Sequence, residues 1–140
     1  KKFKIQKIQL KTLNRFVALI PQEYSQALQD LARNCVIELD RFRASEPLEK
    51  SNKRRLQGLS EKQEANLIKW GYPFVLDEFK FHLTLSGRLM PAVLENVMSV
   101  LEVELENVLK LPLHVKELCV FGENLETGNF QIVHRFPLMD

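Results

Sequence analysis

The chain has 140 residues, about one domain's length, so a large multidomain machine is excluded. Hydrophobic residues make up 45% and charged residues 27%, with nine Phe, one Trp and five Gly, which is globular composition and neither disordered nor fibrous. Twenty basic residues against 18 acidic ones leave a formal charge of +2, too slight for a protein dedicated to coating a polyanion, although a local anion site stays open. No apolar run approaches the ~18 residues needed to cross a bilayer, and no signal-peptide core opens the chain. Cys35 and Cys119 stand alone in apolar periodic stretches, which predicts buried free thiols and a reducing, cytoplasmic setting.

Residues 2–20 read as two strands. The first changes face midway, Phe3 and Ile5 sharing one parity and Ile8 and Leu10 the other, which predicts a bulge near Gln6 and Lys7. The second, Arg15 to Ile20, is apolar on both faces and is stopped by Pro21, with Leu13-Asn14 as the tight connection of a hairpin. Lys1 is not a Met and the first strand is already under way, so the chain is expected to be part of something longer.

From Gln22 the period becomes 3.6, and Leu28, Leu31, Ala32, Cys35, Leu39 and Phe42 form the apolar stripe of a helix expected to pack on a sheet. Residues 44–58 hold Pro47 and the cluster Lys50, Lys53, Arg54, Arg55, and read as a solvated, mobile loop. Ser60 with Gln63 forms a capping box for a short helix through Trp70, with Gly71 at its C-terminal cap and Pro73 beyond.

Residues 79–86 alternate strictly, Phe79, Phe81, Leu83 and Leu85 against Lys80, His82, Thr84 and Ser86, and predict a strand. One long helix is expected from Pro91 to Pro112, with Leu94, Val97, Met98, Leu101, Leu105, Val108 and Leu109 inward. Two last strands, residues 115–121 and 130–136, flank a turn at residues 122–128. The order predicts one α+β domain over residues 1–140, with an antiparallel or mixed sheet carrying helices on one face.

His114 has no polar partner nearby in sequence, and His134 shares its strand face with Phe130, Ile132 and Phe136, which predicts a core histidine. His82 differs, because its face is polar and the opposite face is apolar. Two residues of strand rise set His82 and Thr84 about 6–7 Å apart, close enough to meet one phosphate-sized group. An imidazole moves a proton near neutral pH and a neighbouring hydroxyl holds a phosphate oxygen. Taken alone, His-x-Thr is a common triplet, and a plain solvated sheet face is the ordinary reading.

The surrounding stretch Trp70 to Leu89 is more specific, and it closely resembles the second motif region of the phosphonate-operon branch of the two-histidine phosphoesterase superfamily. Similarity extends through residues 15–21, 39–44 and 58–60 and the ending His134-Arg135-Phe136-Pro137-Leu138, nearly the whole chain. The resemblance implies one lobe, with extra helices, of a bilobal enzyme in which each lobe supplies a His-x-Thr or His-x-Ser strand. It implies His82 as an acid/base on a small cyclic or otherwise phosphorylated substrate and Thr84 as its phosphate contact, without metal or cofactor. A ribose cyclic phosphate of phosphonate metabolism fits that chemistry.

This chain departs from the pattern, because His114 is followed by Val115-Lys116 and His134 by Arg135-Phe136, so no second motif occurs. An N-terminal lobe is expected upstream of Lys1 to complete the site, and the fragment alone is expected to have little activity. Tyr72, Ser86 and Arg135 are secondary substrate-binding candidates, and packing or salt-bridging is the ordinary role of each. RNA is the less favoured ligand; a noncatalytic nucleotide- or RNA-binding module is the rival reading. No Gly-rich phosphate loop, Cys-pair zinc spacing or nucleophile elbow occurs.

Overall fold

The apolar run after Arg15 becomes β3 (Phe16–Pro21), the middle strand of a three-stranded antiparallel sheet in the order β2-β3-β4. In the computed structural model, which describes residues 1–45, 47–56 and 58–140, backbone contacts divide the chain into two units. One comprises Lys1–Glu23 and Leu83–Asp140, the other Tyr24–His82. The architecture is α+β with antiparallel pairing throughout, as expected.

In the first unit the face change at Gln6 and Lys7 is a full break: β1 (Phe3–Ile5) pairs with β5 (Leu113–Val115), whereas β2 (Ile8–Leu13) pairs with β3. The hairpin connection is Asn14-Arg15, one residue later than expected, because Leu13 pairs with Phe16; Asn14, at φ 54°, takes a left-handed position that Asn tolerates better than most residues. Val17 and Ala18 are fully buried and Leu19 nearly so, which explains an apolar run without alternation. The expected strand over residues 79–86 shrinks to β4 (Leu83–Thr84), paired at Ala18↔Thr84 and Leu19↔Leu83. Alternation requires a neighbouring strand to become a ladder, and here only these two residues have one in register.

Helix α4 (Pro91–Glu104) packs against β2 and β3, and its expected inward residues Leu94, Val97, Met98 and Leu101 are its half-buried ones. The long helix breaks at Leu105 and resumes as α5 (Glu106–Leu109), where Val108 is exposed instead of inward. Strands β6 (Glu117–Glu123) and β7 (Phe130–Pro137) form a separate two-stranded ribbon with a register slip between Val120 and Phe121. His134 is not a core residue: all of β7 is exposed, and the imidazole leans on the Phe136 ring with centroids 4.4 Å apart.

In the second unit α1 (Gln26–Leu39) starts at Ser25, whose hydroxyl accepts the Leu28 N–H. Within this unit it meets the 3-10 turn Leu76–Glu78, and of its predicted stripe only Leu28 is buried, Leu39 and Phe42 being exposed. Residues 48–55 are helical, not a loop: α2 (Leu48–Arg55) begins after Pro47 and is built from helix-forming Glu, Lys and Arg, with Lys53, Arg54 and Arg55 in the last turn, where cations complement the helix dipole. The rest of the expected loop includes Glu46 and Gln57, outside the described residues.

Helix α3 (Glu61–Trp70) has both predicted ends, the reciprocal Ser60–Gln63 capping box and Gly71 at φ 72°. Both cysteines are free but half-buried, not fully buried, and desolvation pushes the Cys35 thiol up. Leu67 and Ile68 are neighbours on α3 with 3% and 70% exposure. Replacing Leu67 by Ala should cost about 2–5 kcal/mol, and Ile68 by Ala within about 0.5 kcal/mol, in chemical denaturation.

Candidate functional site

His82 ends the second unit and lies just before β4, so it is not itself a strand residue. Its Nδ1 lies 2.8 Å from the Lys80 carbonyl oxygen. A carbonyl only accepts, so Nδ1 is the protonated nitrogen and the neutral ring carries its lone pair on Nε2. The side chain is exposed. A histidine oriented in this way can take a proton from a hydroxyl or water through Nε2 and return it to a leaving oxygen.

Thr84 belongs to the first unit, on β4 opposite fully buried Ala18, with its own side chain exposed. Past Thr84 the chain leaves the ladder. The Leu85 N–H still reaches the Val17 carbonyl at 2.8 Å, but the Val17 N–H is taken by the Ser86 hydroxyl at 3.0 Å. That hydroxyl in turn donates to the Gly87 carbonyl at 2.9 Å. Ser86 thus stands in for a missing backbone acceptor beside a buried residue. Arg15 then closes the segment, accepting the Leu89 N–H on its carbonyl and donating Nε to the Leu89 carbonyl.

Tyr72 lies in the second unit, 45% exposed, with its ring edge-on to Phe74 and the Arg54 guanidinium 5.0 Å from its centroid. Arg54 also donates to the Gly71 carbonyl at 2.9 Å, and Arg43 donates to the Lys69 carbonyl at 3.2 Å while pairing with Asp40. Two arginines therefore satisfy carbonyls at the C-terminal end of α3. Arg55 pairs with Glu64. Arg135, on β7 of the first unit, is paired with Glu117 across the ribbon. Tyr72 and His82 fall in one unit, and Thr84, Ser86 and Arg135 in the other.

One positioning residue escaped the sequence reading. Asn66 is 8% exposed and donates its side-chain amide to the carbonyls of Pro73 and Val75, at 3.2 and 3.3 Å. It thereby fixes the segment that carries Tyr72 and Phe74. The available signal was an Asn beside Leu67 on the inward side of a capped helix. Beyond it, Lys62 and Asp77 pair at 2.9 Å, and hydrogen bonding to the ammonium holds the Asp77 carboxyl below its usual value. The same bond holds Lys62 above its usual value. The pair's contribution is therefore lost at both extremes, as Asp77 protonates in acid and as Lys62 deprotonates in alkali.

A family model described as "Protein of unknown function (DUF1045)" matches residues 1–131. Among curated proteins the chain is 28% identical over 137 residues to the Ribose 1,5-bisphosphate phosphokinase PhnN of Janthinobacterium sp. (strain Marseille), covering 95% of this chain and 30% of that protein. It is 33% identical over 78 residues to the protein of the same name from Laribacter hongkongensis (strain HLHK9), covering 56% of this chain and 17% of that protein. The chain thus spans less than a third of the length of these relatives. No solved structure matches it significantly.

Replacing Ser86 by Ala should cost about 1–3 kcal/mol in denaturant unfolding, because the Val17 N–H loses its acceptor in a buried setting. Unchanged stability would return Ser86 to the list of purely ligand-facing hydroxyls.

Proposed function

The chain belongs to the DUF1045 family, and from that footing we propose that it forms part of a phosphoesterase that opens a small cyclic phosphate by histidine acid/base catalysis. The observation that carries this reading is the His82–Lys80 hydrogen bond, which places the proton on Nδ1 and leaves Nε2 as the basic nitrogen of a His-x-Thr sequence. The likeness of residues 70–89 to the second motif of two-histidine phosphoesterases supports it.

In the proposed reaction His82 removes a proton from the attacking water, or in the complementary role protonates the oxygen that leaves phosphorus. The Thr84 hydroxyl donates to a non-bridging phosphate oxygen. Tyr72, in the unit that ends at His82, is the candidate to stack on or hydrogen-bond the substrate. The second proton-transfer group comes from polypeptide outside these 140 residues, which span less than a third of the length of the curated relatives. Those relatives bear the name of a kinase of ribose 1,5-bisphosphate, so a phosphorylated ribose is the favoured substrate class, and a role in phosphonate metabolism fits it. A cyclic phosphate bridging two ribose hydroxyls becomes a monoester when water adds to phosphorus and one ring oxygen leaves with a proton.

The rival is a noncatalytic binding module, favoured by the lack of a second His-x-Thr in this sequence. Replacement of His82 by Ala in the full-length protein should lower kcat by about 10²- to 10⁴-fold on ribose cyclic phosphates while circular dichroism stays native. A bell-shaped pH dependence of kcat/KM should accompany the native activity. Nucleotide binding without product at high enzyme concentration would instead establish the binding module.

A further inference from the structure

The β1-β5 ribbon brings together four cationic or ionisable side chains that the proposed reaction does not use. Its register sets Lys4 directly opposite His114, with Phe3 opposite Val115. Just past the paired residues, the Lys2 N–H goes to the Met139 carbonyl and the Lys116 carbonyl accepts the Leu138 N–H, and the two lysines border the same hollow. Alternation then puts Lys2, Lys4, His114 and Lys116 on one face, while Ile5, on the other, is buried in the core. These four residues and Phe3 line a hollow of about 220 Å³.

Like charges gathered on one side of a ribbon repel, and nothing in the apolar packing of the ribbon's other face requires them. Among the described residues, the side chains of Lys4, His114 and Lys116 make no hydrogen bond or ion pair, and that of Lys2 makes one exposed ion pair, to Asp140 at 2.8 Å. Three ammonium groups and an imidazole around one hollow, in a chain whose net charge is only +2, concentrate positive potential at this point. Ammonium groups and ring N–H groups donate to oxyanions and accept nothing in their charged forms, so the complementary ligand carries several anionic oxygens. Each paired strand spans only three residues, about 10 Å, which suits a compact ligand better than the backbone of a polymer.

We propose that this face is a binding site for a small phosphorylated molecule bearing a multiply charged phosphoryl group, separate from the His82-Thr84 motif. Its occupation relieves the cross-strand repulsion and stabilises the ribbon.

The test is calorimetric titration of the 140-residue chain with inorganic pyrophosphate at fixed ionic strength, with chloride as the compensating anion. One pyrophosphate should bind per chain and raise the melting temperature. The double variant Lys4→Gln/Lys116→Gln should weaken binding by ~10-fold or more, as two charge-assisted contacts are removed. Lys11→Gln, on an exposed β2 position, should bind as the parent does. Without pyrophosphate the double variant should melt at the parent temperature or above it, since it loses only repulsion; this also reports that it folds. Equal pyrophosphate affinity in parent and double variant would overturn the proposal. So would equal thermal stabilisation by chloride alone, or tighter binding of a ten-nucleotide RNA than of pyrophosphate through the same lysines. None of these outcomes depends on whether His82 catalyses phosphoester opening.

Discussion

Strand β3 sets the constraint on which the first unit depends. Val17 and Ala18 have no exposed surface, so each peptide group there must find a partner inside the protein. One edge is satisfied by the β2 hairpin over six register pairs. On the other edge the 83–89 segment supplies two register pairs, the Leu85 N–H and finally a serine hydroxyl. The position of Thr84 follows from this demand. It sits where the short ladder places it, beside the most deeply buried part of the sheet, on a backbone with little freedom to shift.

The second unit solves a different problem, the carbonyls left over where a helix ends. Helix α3 has an unusually complete N-terminus, and its C-terminal end is finished by Gly71 and by the guanidinium groups of Arg43 and Arg54. Asn66 does similar work for the two carbonyls beyond. The segment toward His82 therefore leaves the helix with its polar groups matched, and Tyr72 is held between Arg54 and Phe74. The basic cluster, which in isolation suggests an anion-binding loop, spends Arg54 and Arg55 on this internal work.

Much of the fold was legible wherever the signal was local. The Ser60–Gln63 box, Gly71 and the start of α4 at Pro91 each depend on a few adjacent residues, and each is found where the sequence puts it. Failures came where a partner decides the outcome. The alternation at residues 79–86 is a potential for strand structure that only two residues realise, and α2 escaped notice because a short polar helix has no apolar stripe to read. His134 looked like a core residue because its neighbours are apolar, yet the β6-β7 ribbon leaves that face uncovered. At the candidate site the His-x-Thr spacing was readable, whereas the Lys80 carbonyl that fixes the His82 tautomer and the Val17 amide that occupies Ser86 are visible only in three dimensions.

The close approach at Gly71 also bears on how this segment can evolve. A β-carbon there would lie 2.9 Å from Arg43 Nη1, and the backbone angle already disfavours any other residue. Gly71 and Arg43 are thus joined by exclusion, while Arg54 is joined to both Gly71 and Tyr72 by attraction. A lineage cannot exchange one of these four residues freely, because a side chain at position 71 displaces Arg43, and loss of Arg54 leaves both a helix-end carbonyl and an aromatic face without its partner. Substitutions here should therefore travel through related sequences as linked sets, so that drift at one position becomes a marker for change at positions 17 or 28 residues away.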